Sequence, residues 1–265
     1  MKNKKAIVCL SFDDGRKDFF DNAFPILKKY NLTASLNVTT GYVDGSFKPA
    51  WATSDMACTK KQLLEMKDYG IEIAYHGDQH ITSEDDFEKS RNKFIEWNLH
   101  EQHMGFAVPG SYLDEVNLDQ FIKYLKKINV DYMRIDSKKK NTFFCRVYRK
   151  LYNITGFSIF YLLFNRYNMF NVDSLDDYNI PSVVVFEKDN FRNLIRLIKI
   201  AIKRKKVIVF MLHGILDEDD KNYGKDEYAW SSKNFENFCK KLTELKENNK
   251  VEILNLIDVI NEKNK

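Results

Sequence analysis

The stretch Ile7-Val-Cys-Leu-Ser-Phe-Asp13-Asp14-Gly15 decides how the rest of the sequence is interpreted. It is an apolar run of strand length that ends in two adjacent carboxylates and a glycine, a turn former. The pattern predicts a buried strand with both acids at its carboxyl end, where the active sites of α/β barrels lie. Two adjacent ionised carboxylates repel, so the pair indicates a bound cation or a shared proton. A strand followed by a solvated Asp-Asp-Gly turn is the plain alternative.

The composition is typical of a chain that can bury a large core. Of its 265 residues, 44% are hydrophobic, 14% aromatic and 30% charged. Barrels of this length are routinely single domains, and no Pro/Gly/Ser-rich linker divides the sequence, so we expect one domain over residues 1–265. The net charge of +4, from 42 basic and 38 acidic residues, is too even to indicate nucleic-acid binding. We interpret the basic runs 138–140 and 203–206 as solvated loop ends.

The cysteines and the first residues bear on the cellular compartment. The four cysteines are widely spaced and form no CxxC pair, which favours neither a disulfide framework nor a zinc finger. Residues 1–5 are basic, but only six mostly apolar residues follow before Phe12, with no small-residue cleavage site. These patterns predict reduced thiols and a cytoplasmic location.

Strand and helix patterns alternate along most of the chain. After the first strand, extended segments are predicted at 34–38, 71–75, 104–108, 132–135, 182–186, 207–212 and 251–254. Helices are predicted at 22–30, 60–69, 83–103, 117–128, 190–203 and 233–246. Ser83 followed by Asp86 indicates a helix N-cap. About eight strands, most of them separated by a helix, predict a parallel α/β barrel.

Residues 141–180 interrupt this alternation with an aromatic-rich insert. Its most apolar run, 157–164, is too short to span a bilayer. Nearby basic residues are Arg146, Arg149, Lys150 and Arg166. The insert could therefore lie at a membrane surface or line a substrate groove, and simple packing against the barrel is the alternative. Since long excursions from compact domains are often functional, we expect it to set the substrate. The expected contacts are Tyr148, Tyr152, Phe157 and Tyr161.

Histidines follow two of the predicted strands. His76-Gly-Asp-Gln-His80 begins directly after the strand 71–75, at the same end of the sheet as Asp13 and Asp14. Two histidines and an aspartate suit a divalent metal such as Zn²⁺, whose catalytic sites leave one position open for water. His213 ends another apolar run and is a further candidate for this site, with a satisfied core histidine as the alternative.

Two other histidines receive a different interpretation. His100 and His103 lie late in the long polar helix predicted at 83–103. This helix does not place either histidine at the end of a strand. We therefore expect both to be ordinary surface residues.

Together these residues resemble the NodB-type polysaccharide deacetylases, carbohydrate esterase family 4, over nearly the whole chain. Ser11-Phe-Asp-Asp-Gly15 is similar to the first family motif, and Gly70-Ile-Glu-Ile-Ala-Tyr-His76 with His80 is similar to the second. Phe106-Ala-Val-Pro109 resembles a degenerate third motif, and Leu212-His213 resembles the fifth. The resemblance implies a distorted (β/α) barrel of about seven to eight parallel strands in one catalytic domain. It also implies one divalent metal and hydrolysis of an N-acetyl or O-acetyl group on a sugar.

The resemblance also implies residue roles. Asp14, His76 and His80 would hold the metal, for which we expect Zn²⁺, with Co²⁺, Ni²⁺ or Mn²⁺ as alternatives. Asp13 would be the general base and His213 the general acid, roles that suit water attack on a polarised acyl group. A backbone amide near Gly110 would stabilise the oxyanion. The remaining candidate oxyanion or substrate residues are Tyr112, Arg134 and Asp136.

The sequence departs from the family pattern in two motifs. Ala107 stands where the third motif carries an arginine that orients the base, and the fourth motif's Asp and Trp have no clear counterpart. Arg134 and Asp136 follow at the next strand's end. From their placement, we expect Arg134 to supply the missing arginine and Asp136 to orient His213.

Several functions follow from these observations. The first is a metal-dependent carbohydrate deacetylase, acting on an acetylated amino sugar, glycan or lipid-linked sugar. A deformylase or a cyclic-amide hydrolase would keep the barrel and change the bond. Ala107 motivates a third possibility, a catalytically weakened, metal-holding carbohydrate-binding protein. The weakest hypothesis is a nucleic-acid or membrane adaptor, which would not need Asp13. As partners we expect an acetylated sugar, no nucleic acid, and a membrane or lipid-linked contact through 141–180.

Overall fold

A computed structural model describes residues 5–49, 56–110, 115–136 and 143–263. Its centre is an eight-stranded sheet in the order β5-β4-β3-β2-β1-β7-β6, with β10 beside the start of β1. All the pairings between these strands are parallel. The strands are β1 Ala6–Phe12, β2 Ser35–Val38, β3 Glu72–Tyr75, β4 Met104–Ala107, β5 Val130–Arg134, β6 Val183–Val184, β7 Val207–Leu212 and β10 Val251–Ile253. A separate two-stranded ladder joins β8, Ile215–Leu216, to β9, Trp230–Ser231.

The sheet curls until its two edges approach each other. Residues 180–182, just before the edge strand β6, form backbone hydrogen bonds with the opposite edge at β5 and the residues after it. Ile180 and Arg134 form the bridge between these edges. The predicted distorted barrel of parallel strands is therefore confirmed.

The central strands are buried along their whole length. Every residue of β1 and of β7 is buried, and β1 has β2, β7 and β10 as neighbours. Parallel strands covered on both faces need continuous apolar runs of this kind, because neither face meets water. The opening stretch of the sequence is thus the central strand of the sheet.

Helices surround this sheet. The α-helices are α1 Phe24–Lys29, α2 Thr40–Asp44, α3 Lys60–Tyr69, α4 Glu84–Glu96, α5 Glu115–Lys127, α6 Phe143–Thr155, α7 Ser158–Asn165, α8 Phe191–Arg204, α9 Ser232–Glu247 and α10 Leu256–Lys263. A π-helix, Phe19–Ala23, precedes α1, and short 3-10 turns cover Arg166–Asn168 and Val172–Ser174. Within the described residues, we find no helix with the length and apolar character needed to cross a membrane.

The long helix predicted at 83–103 is shorter in the structure. It begins as expected, because the Ser83 side chain accepts a hydrogen bond from the Asp86 amide. It ends at Glu96, after which Asn98 adopts a left-handed backbone conformation with φ of 58°. Trp97 and Leu99 on either side of this turn are buried. Their burial ends the helix earlier than its polar pattern indicated.

The insert forms a helical hairpin of α6 and α7 joined at Gly156, which has a left-handed φ of 68°. It is fixed to the barrel by two tyrosines on its inner side. Tyr161 is 2% exposed, and the hydroxyl of Tyr152 donates a hydrogen bond of 2.9 Å to Asp189. The hairpin is therefore an ordered part of the domain surface.

Candidate active site

A cavity of about 350 Å³ lies at the carboxyl ends of the strands. Because parallel strands all end at the same edge of the sheet, residues from distant parts of the chain meet there. The predicted site residues that line it are Asp13, Asp14, His76, His80, Gly110, Asp136 and His213. Arg134 lies behind it, in contact with Asp13. Tyr112 lies outside the described residues.

Asp14, His76 and His80 form a group suited to a metal ion. One ligand atom from each lies within 4.8 Å of the other two. The Asp14 Oδ1 atom is 3.5 Å from His76 Nε2 and 3.7 Å from His80 Nε2, and this buried oxygen has no hydrogen-bond partner among the described residues. One carboxylate and two imidazoles are a common ligand set for a catalytic divalent metal. The orphaned oxygen shows that the donor set fits a cation.

The backbone of this group lies in an uncommon conformation. Asp14 has a φ of 78° and His80 has a φ of 60°. Left-handed backbone is unfavourable for residues with a Cβ, and such strain concentrates at functional sites, where surrounding contacts enforce it. The two loops therefore hold their side chains in a geometry that local preferences oppose.

Two further contacts orient the histidines. The Nδ1 of His76 donates a hydrogen bond of 2.9 Å to the carbonyl of Ala107, which leaves Nε2 directed at Asp14. The Asp86 carboxylate accepts hydrogen bonds from three backbone amides of the loop that carries His80. These donors are Asp78, Gln79 and Ile81, at 2.9, 2.9 and 3.2 Å. Partners of this kind fix ligand geometry. Sequence reasoning identified Asp86 only as part of a helix cap.

The Asp13 carboxylate is clamped from outside its own loop. One terminal nitrogen of Arg134 donates to both of its oxygens, at 2.6 and 2.7 Å, and Asn37 donates a third hydrogen bond at 2.8 Å. Arg134 is 1% exposed and Asp13 is 3% exposed, so the pair is desolvated. In the sheet, Arg134 on β5 pairs directly with Ala107 on β4. The arginine missing from β4 is thus present at the adjacent register position, as we expected, whereas the contact from Asn37 was not anticipated.

The electrostatics keep both adjacent aspartates ionised. Burial works to raise the pKa of Asp13, but the Arg134 guanidinium, with help from His76 and His213, brings the pKa below its ordinary value. Burial likewise opposes ionisation of Asp14, and the adjacent His76 side chain and the other histidines lower its pKa to about 2. Two neighbouring carboxylates are therefore both charged at neutral pH, which favours cation binding.

The two candidate histidine ligands differ. Burial and the neighbouring His76 lower the pKa of His80 to about 4, so its imidazole is neutral at pH 7 and able to bind a metal. Burial also disfavours the charged form of His76, but Asp13 and Asp14 outweigh this and raise its pKa. A bound cation would compete with the proton at His76.

His213 lines the cavity at the end of β7, the strand that pairs with β1. Its Nε2 is 3.8 Å from the Asp13 carboxylate, and its ring packs against Tyr228 with centroids 4.9 Å apart. Its Nδ1 is buried and has no hydrogen-bond partner among the described residues. Burial lowers the pKa of His213, and the carboxylates of Asp14 and Asp13 offset only part of that effect.

The contacts found for the His213 side chain among the described residues are with Asp13 and Tyr228, so the expected pairing of Asp136 with His213 stays a prediction. Asp136 lines the cavity, and its backbone carbonyl accepts hydrogen bonds from Ser182. The chain after β5 is held against residues 180–182, which fixes Asp136 by its backbone at the point where the barrel edges meet. The position of Asp136 after β5 was enough to predict that it lines the cavity.

A buried ion cluster beneath His213 was not anticipated. Arg16 contacts the carboxylates of Asp18 and Asp226 at 2.8 and 2.7 Å. A Cβ at Gly214 would lie 2.6 Å from the Arg16 guanidinium, so any other residue after His213 would require this buried side chain to shift. Arg16 and Asp226 also line the cavity.

The insert reaches the cavity, but through different residues from those expected. Arg149 of α6, Phe164 and Asn165 of α7, and Asn168 line it. Of the aromatic contacts expected from the sequence, none lines it: Tyr148 stacks on Phe160, Tyr152 and Tyr161 face the barrel, and Phe157 is 62% exposed. The helical period places the tyrosines on the inner side and directs Arg149 towards the cavity. The insert therefore does not simply pack against the barrel, because four of its residues line the cavity.

The two surface histidines lie away from the site. His100 is exposed and hydrogen-bonds to the hydroxyl of Tyr75 at 2.7 Å. His103 is exposed and contacts Asp131. Neither lines the cavity.

The fold and the site define a class of protein: a distorted parallel barrel that carries an Asp-His-His metal group beside a clamped carboxylate. The family model described as polysaccharide deacetylase matches residues 1–131. The resemblance stated from the motifs is confirmed over these residues, and the fold of the chain is that of the NodB-type polysaccharide deacetylases. A comparison with curated proteins found no match.

Solved structures agree on the fold. A protein of Mycobacterium smegmatis assigned to the polysaccharide deacetylases is 12% identical, with a TM-score of 0.57 over 100% of this chain and 92% of that chain. The Xyl-CE4 domain of a multidomain xylanase from the hindgut metagenome of Trinervitermes trinervoides is also 12% identical, with a TM-score of 0.54 over 99% and 92%. A Streptococcus pyogenes deacetylase in complex with acetate is 25% identical, but only 49% of this chain and 56% of that chain align, with a TM-score of 0.41.

Proposed function

We propose that the protein is a metal-dependent carbohydrate deacetylase that hydrolyses an acetyl group, in particular an N-acetyl group, on an amino sugar, glycan or lipid-linked sugar. The observation that carries this proposal is the clamped Asp13 carboxylate directly beside the Asp14, His76 and His80 group. A general base next to a metal site serves water attack, whereas a binding module needs no such base. The family resemblance over residues 1–131 supports the same chemistry.

Asp14, His76 and His80 would hold the metal, which we propose to be Zn²⁺, with Co²⁺, Ni²⁺ or Mn²⁺ as alternatives. When bound, such a cation polarises the acyl carbonyl and lowers the pKa of water. The cavity supplies the surroundings for this step, since both aspartates beside the site are buried. Low accessibility to bulk water strengthens the electrostatic interactions that the site can make.

The chain's own residues would move the protons. Asp13 accepts a proton from the attacking water, and Arg134 fixes the orientation of its carboxylate. As the C–N bond of the amide breaks, the protonated form of His213 delivers a proton to the leaving nitrogen, which would otherwise depart as an unstable anion. The proton taken up by Asp13 then restores His213, whose Nε2 lies 3.8 Å from the Asp13 carboxylate. Gly110 lines the same cavity, and we propose that a backbone amide near it stabilises the developing oxyanion.

The alternatives from the sequence differ in how well they fit. Deformylation or cyclic-amide hydrolysis would use the same residues, and the acyl product distinguishes them. The weakened binding protein was motivated by Ala107, where the base-orienting arginine is absent. Arg134 supplies a guanidinium to Asp13 from the neighbouring strand, which removes that motivation.

The proposal is tested by acetate release from a panel of acetylated sugars, using metal-loaded protein. We expect Asp13→Asn to retain the metal and lose turnover by roughly two to four orders of magnitude, the usual contribution of a positioned base. Asp85→Asn, which changes an exposed carboxylate outside the cavity, is the control and should be unaffected. Formate release from the matching formylated sugars, without acetate release from the acetylated panel, would favour deformylation. Unchanged turnover in Asp13→Asn would contradict the assigned base.

A cytoplasmic location remains a proposal. It is supported by Cys9, Cys58 and Cys239, which are buried free thiols. Such thiols are typical of a reducing compartment.

A further inference from the structure

The exposed apolar surface of the protein is concentrated on the insert. Ten large hydrophobic side chains are exposed among the described residues, and six of them lie between residues 143 and 167. These six are Phe143, Phe144, Ile154, Phe157, Ile159 and Tyr167. Single exposed apolar residues are normal on a soluble protein, but a contiguous group indicates an interaction surface.

Helix α6 carries an apolar stripe on its outer side. Residues spaced by three or four along a helix share one face. The stripe consists of Phe143, Val147, Leu151 and Ile154. Phe143 and Ile154 at its ends are 69% and 71% exposed. A helix of 13 residues is about 20 Å long, so the stripe extends along most of the length of α6.

This stripe is not the face that packs on the barrel. The inner side of α6 is held by Tyr152, whose hydroxyl donates to Asp189. The partner helix α7 is anchored by the buried Tyr161, and beyond the turn at Gly156 it exposes Phe157 and Ile159 to 62% and 55%. The hairpin is therefore apolar on two sides, and the barrel covers only one of them.

The charged residues of the insert are almost all basic. Between Asp136 and Asp173 the sequence contains seven basic residues and no acidic residue. They are Lys138, Lys139, Lys140, Arg146, Arg149, Lys150 and Arg166. The whole chain has a net charge of +4, so these seven leave a net charge of −3 for the remainder. Arg146 and Lys150, beside the stripe, are exposed.

We propose that this outer face of α6 and α7, which we call the docking face, binds the surface of an anionic lipid bilayer. An apolar face flanked by Lys and Arg is the pattern of helices that lie in the membrane interface. Each basic residue near an anionic surface adds attraction. A nucleic acid would leave the apolar stripe in water, and seven like charges oppose pairing with a second copy of the chain.

Docking would place the cavity beside the membrane. Arg149 of α6 and Phe164 of α7 line the cavity, on the same two helices that present the docking face. If the proposed deacetylase function holds, the substrate class is an acetylated sugar attached to a lipid carrier. This second step rests on the proposed function, whereas membrane binding does not.

Co-sedimentation with vesicles tests the docking face directly. Full-length protein is mixed with vesicles of phosphatidylcholine alone or with added phosphatidylglycerol, at low and high salt. We expect binding to the anionic vesicles that weakens with salt. Ile154→Ser should reduce it severalfold, while the matched variant Ile95→Ser, which changes a 47% exposed isoleucine on α4, should not. The Arg146→Gln/Lys150→Gln double variant should reduce it by about tenfold, unlike Lys123→Gln/Lys127→Gln on α5.

Other outcomes would overturn the proposal. No binding to anionic vesicles would contradict it, as would equal losses for Ile154→Ser and Ile95→Ser. A dimer in light scattering that Ile154→Ser dissociates would assign the face to a second copy instead. Hydrolysis of the same acetylated sugar in water and on a vesicle-borne lipid separates the two steps. If vesicle binding persists while neither form is hydrolysed, the docking stands and the proposed function fails.

Discussion

The two halves of the chain contribute different things to one cavity. Residues 1–131, the part that the family model matches, supply Asp13 and the Asp14, His76 and His80 group. The later half supplies Arg134 behind Asp13, and His213 and the insert in the cavity wall. The first set comes from two motifs at the ends of β1 and β3, which β2 separates in the sheet, and the second comes from elements later in the chain.

The comparison shows which residues of such a site must occupy fixed positions in a motif and which can come from elsewhere in the chain. Metal ligands have to converge on one point at defined distances, which a loop with a strained backbone achieves only with particular residues. A guanidinium that orients a carboxylate can arrive from any neighbouring element of suitable register. In this chain Arg134 on β5 takes that position opposite Ala107 on β4. The proposed metal ligands thus come from two short motifs, whereas the support of the proposed base comes from an element that only the fold brings near.

The largest effect is expected from removing one of the three proposed metal ligands. Asp14→Ala removes the orphaned carboxylate oxygen of the metal group, so the bound metal should fall from about one per chain to none, with loss of turnover. Metal analysis of chelator-free protein measures this directly. Asp136→Asn, which changes another carboxylate in the same cavity, should keep its metal. Retention of the metal by Asp14→Ala would show that the three residues are not its ligands.

A smaller effect is expected at His213, in the later half. His213→Ala should lower turnover on an amide by roughly two orders of magnitude, because the leaving nitrogen needs a proton. An activated ester has a leaving group that needs less protonation, so its hydrolysis should fall by less. The ratio of the two losses is the measurement. Equal losses on both substrates would argue against an acid role and for a role in binding or packing.

The smallest effect is expected at Asp86, which holds the His80 loop without touching the cavity. Asp86→Asn weakens the bracing of three backbone amides, and changes of this kind usually reduce metal affinity by about 10- to 100-fold. Excess metal should restore turnover, as expected for a positioning residue. Asp85→Asn on the neighbouring, exposed position is the control. Failure of excess metal to restore turnover would place the defect elsewhere.

Much of the architecture could be predicted from the sequence. The apolar runs 207–212 and 7–12 gave the central strands, because buried parallel strands need continuous apolar sequence. The helix 60–69 has the predicted bounds, since Thr59 forms a capping box with Gln62 and Gly70 ends it with a φ of 107°. Strand-end placement alone was enough to bring Asp13, Asp14 and both histidines of the second motif together.

The remainder depended on contacts that no local pattern encodes. The side chain of Asn37 reaches Asp13 from the adjacent strand, and Arg16 contacts Asp226 across 210 positions. The insert illustrates the same limit, because its aromatic residues look alike in sequence. Only the packing of α6 and α7 decides that Tyr161 is buried while Phe157 is exposed.

We infer that Asp13, the proposed base in the amino-terminal half, is oriented by Arg134 of the later half. Arg134→Ala leaves Asp13 as a buried unpaired charge, which is destabilising by roughly 3–5 kcal/mol. Folding is therefore checked by circular dichroism, and metal content is checked in parallel. The Ala107→Arg/Arg134→Ala double variant returns a guanidinium to β4, at the position paired with residue 134.

The deciding measurement is acetate release by these two variants in the metal-loaded state. We expect Arg134→Ala to keep its metal and lose turnover by about 100-fold or more, since the orientation of the general base is lost. The double variant should recover at least tenfold of that loss. Full turnover in folded Arg134→Ala, or a folded double variant with no recovery at all, would contradict the account.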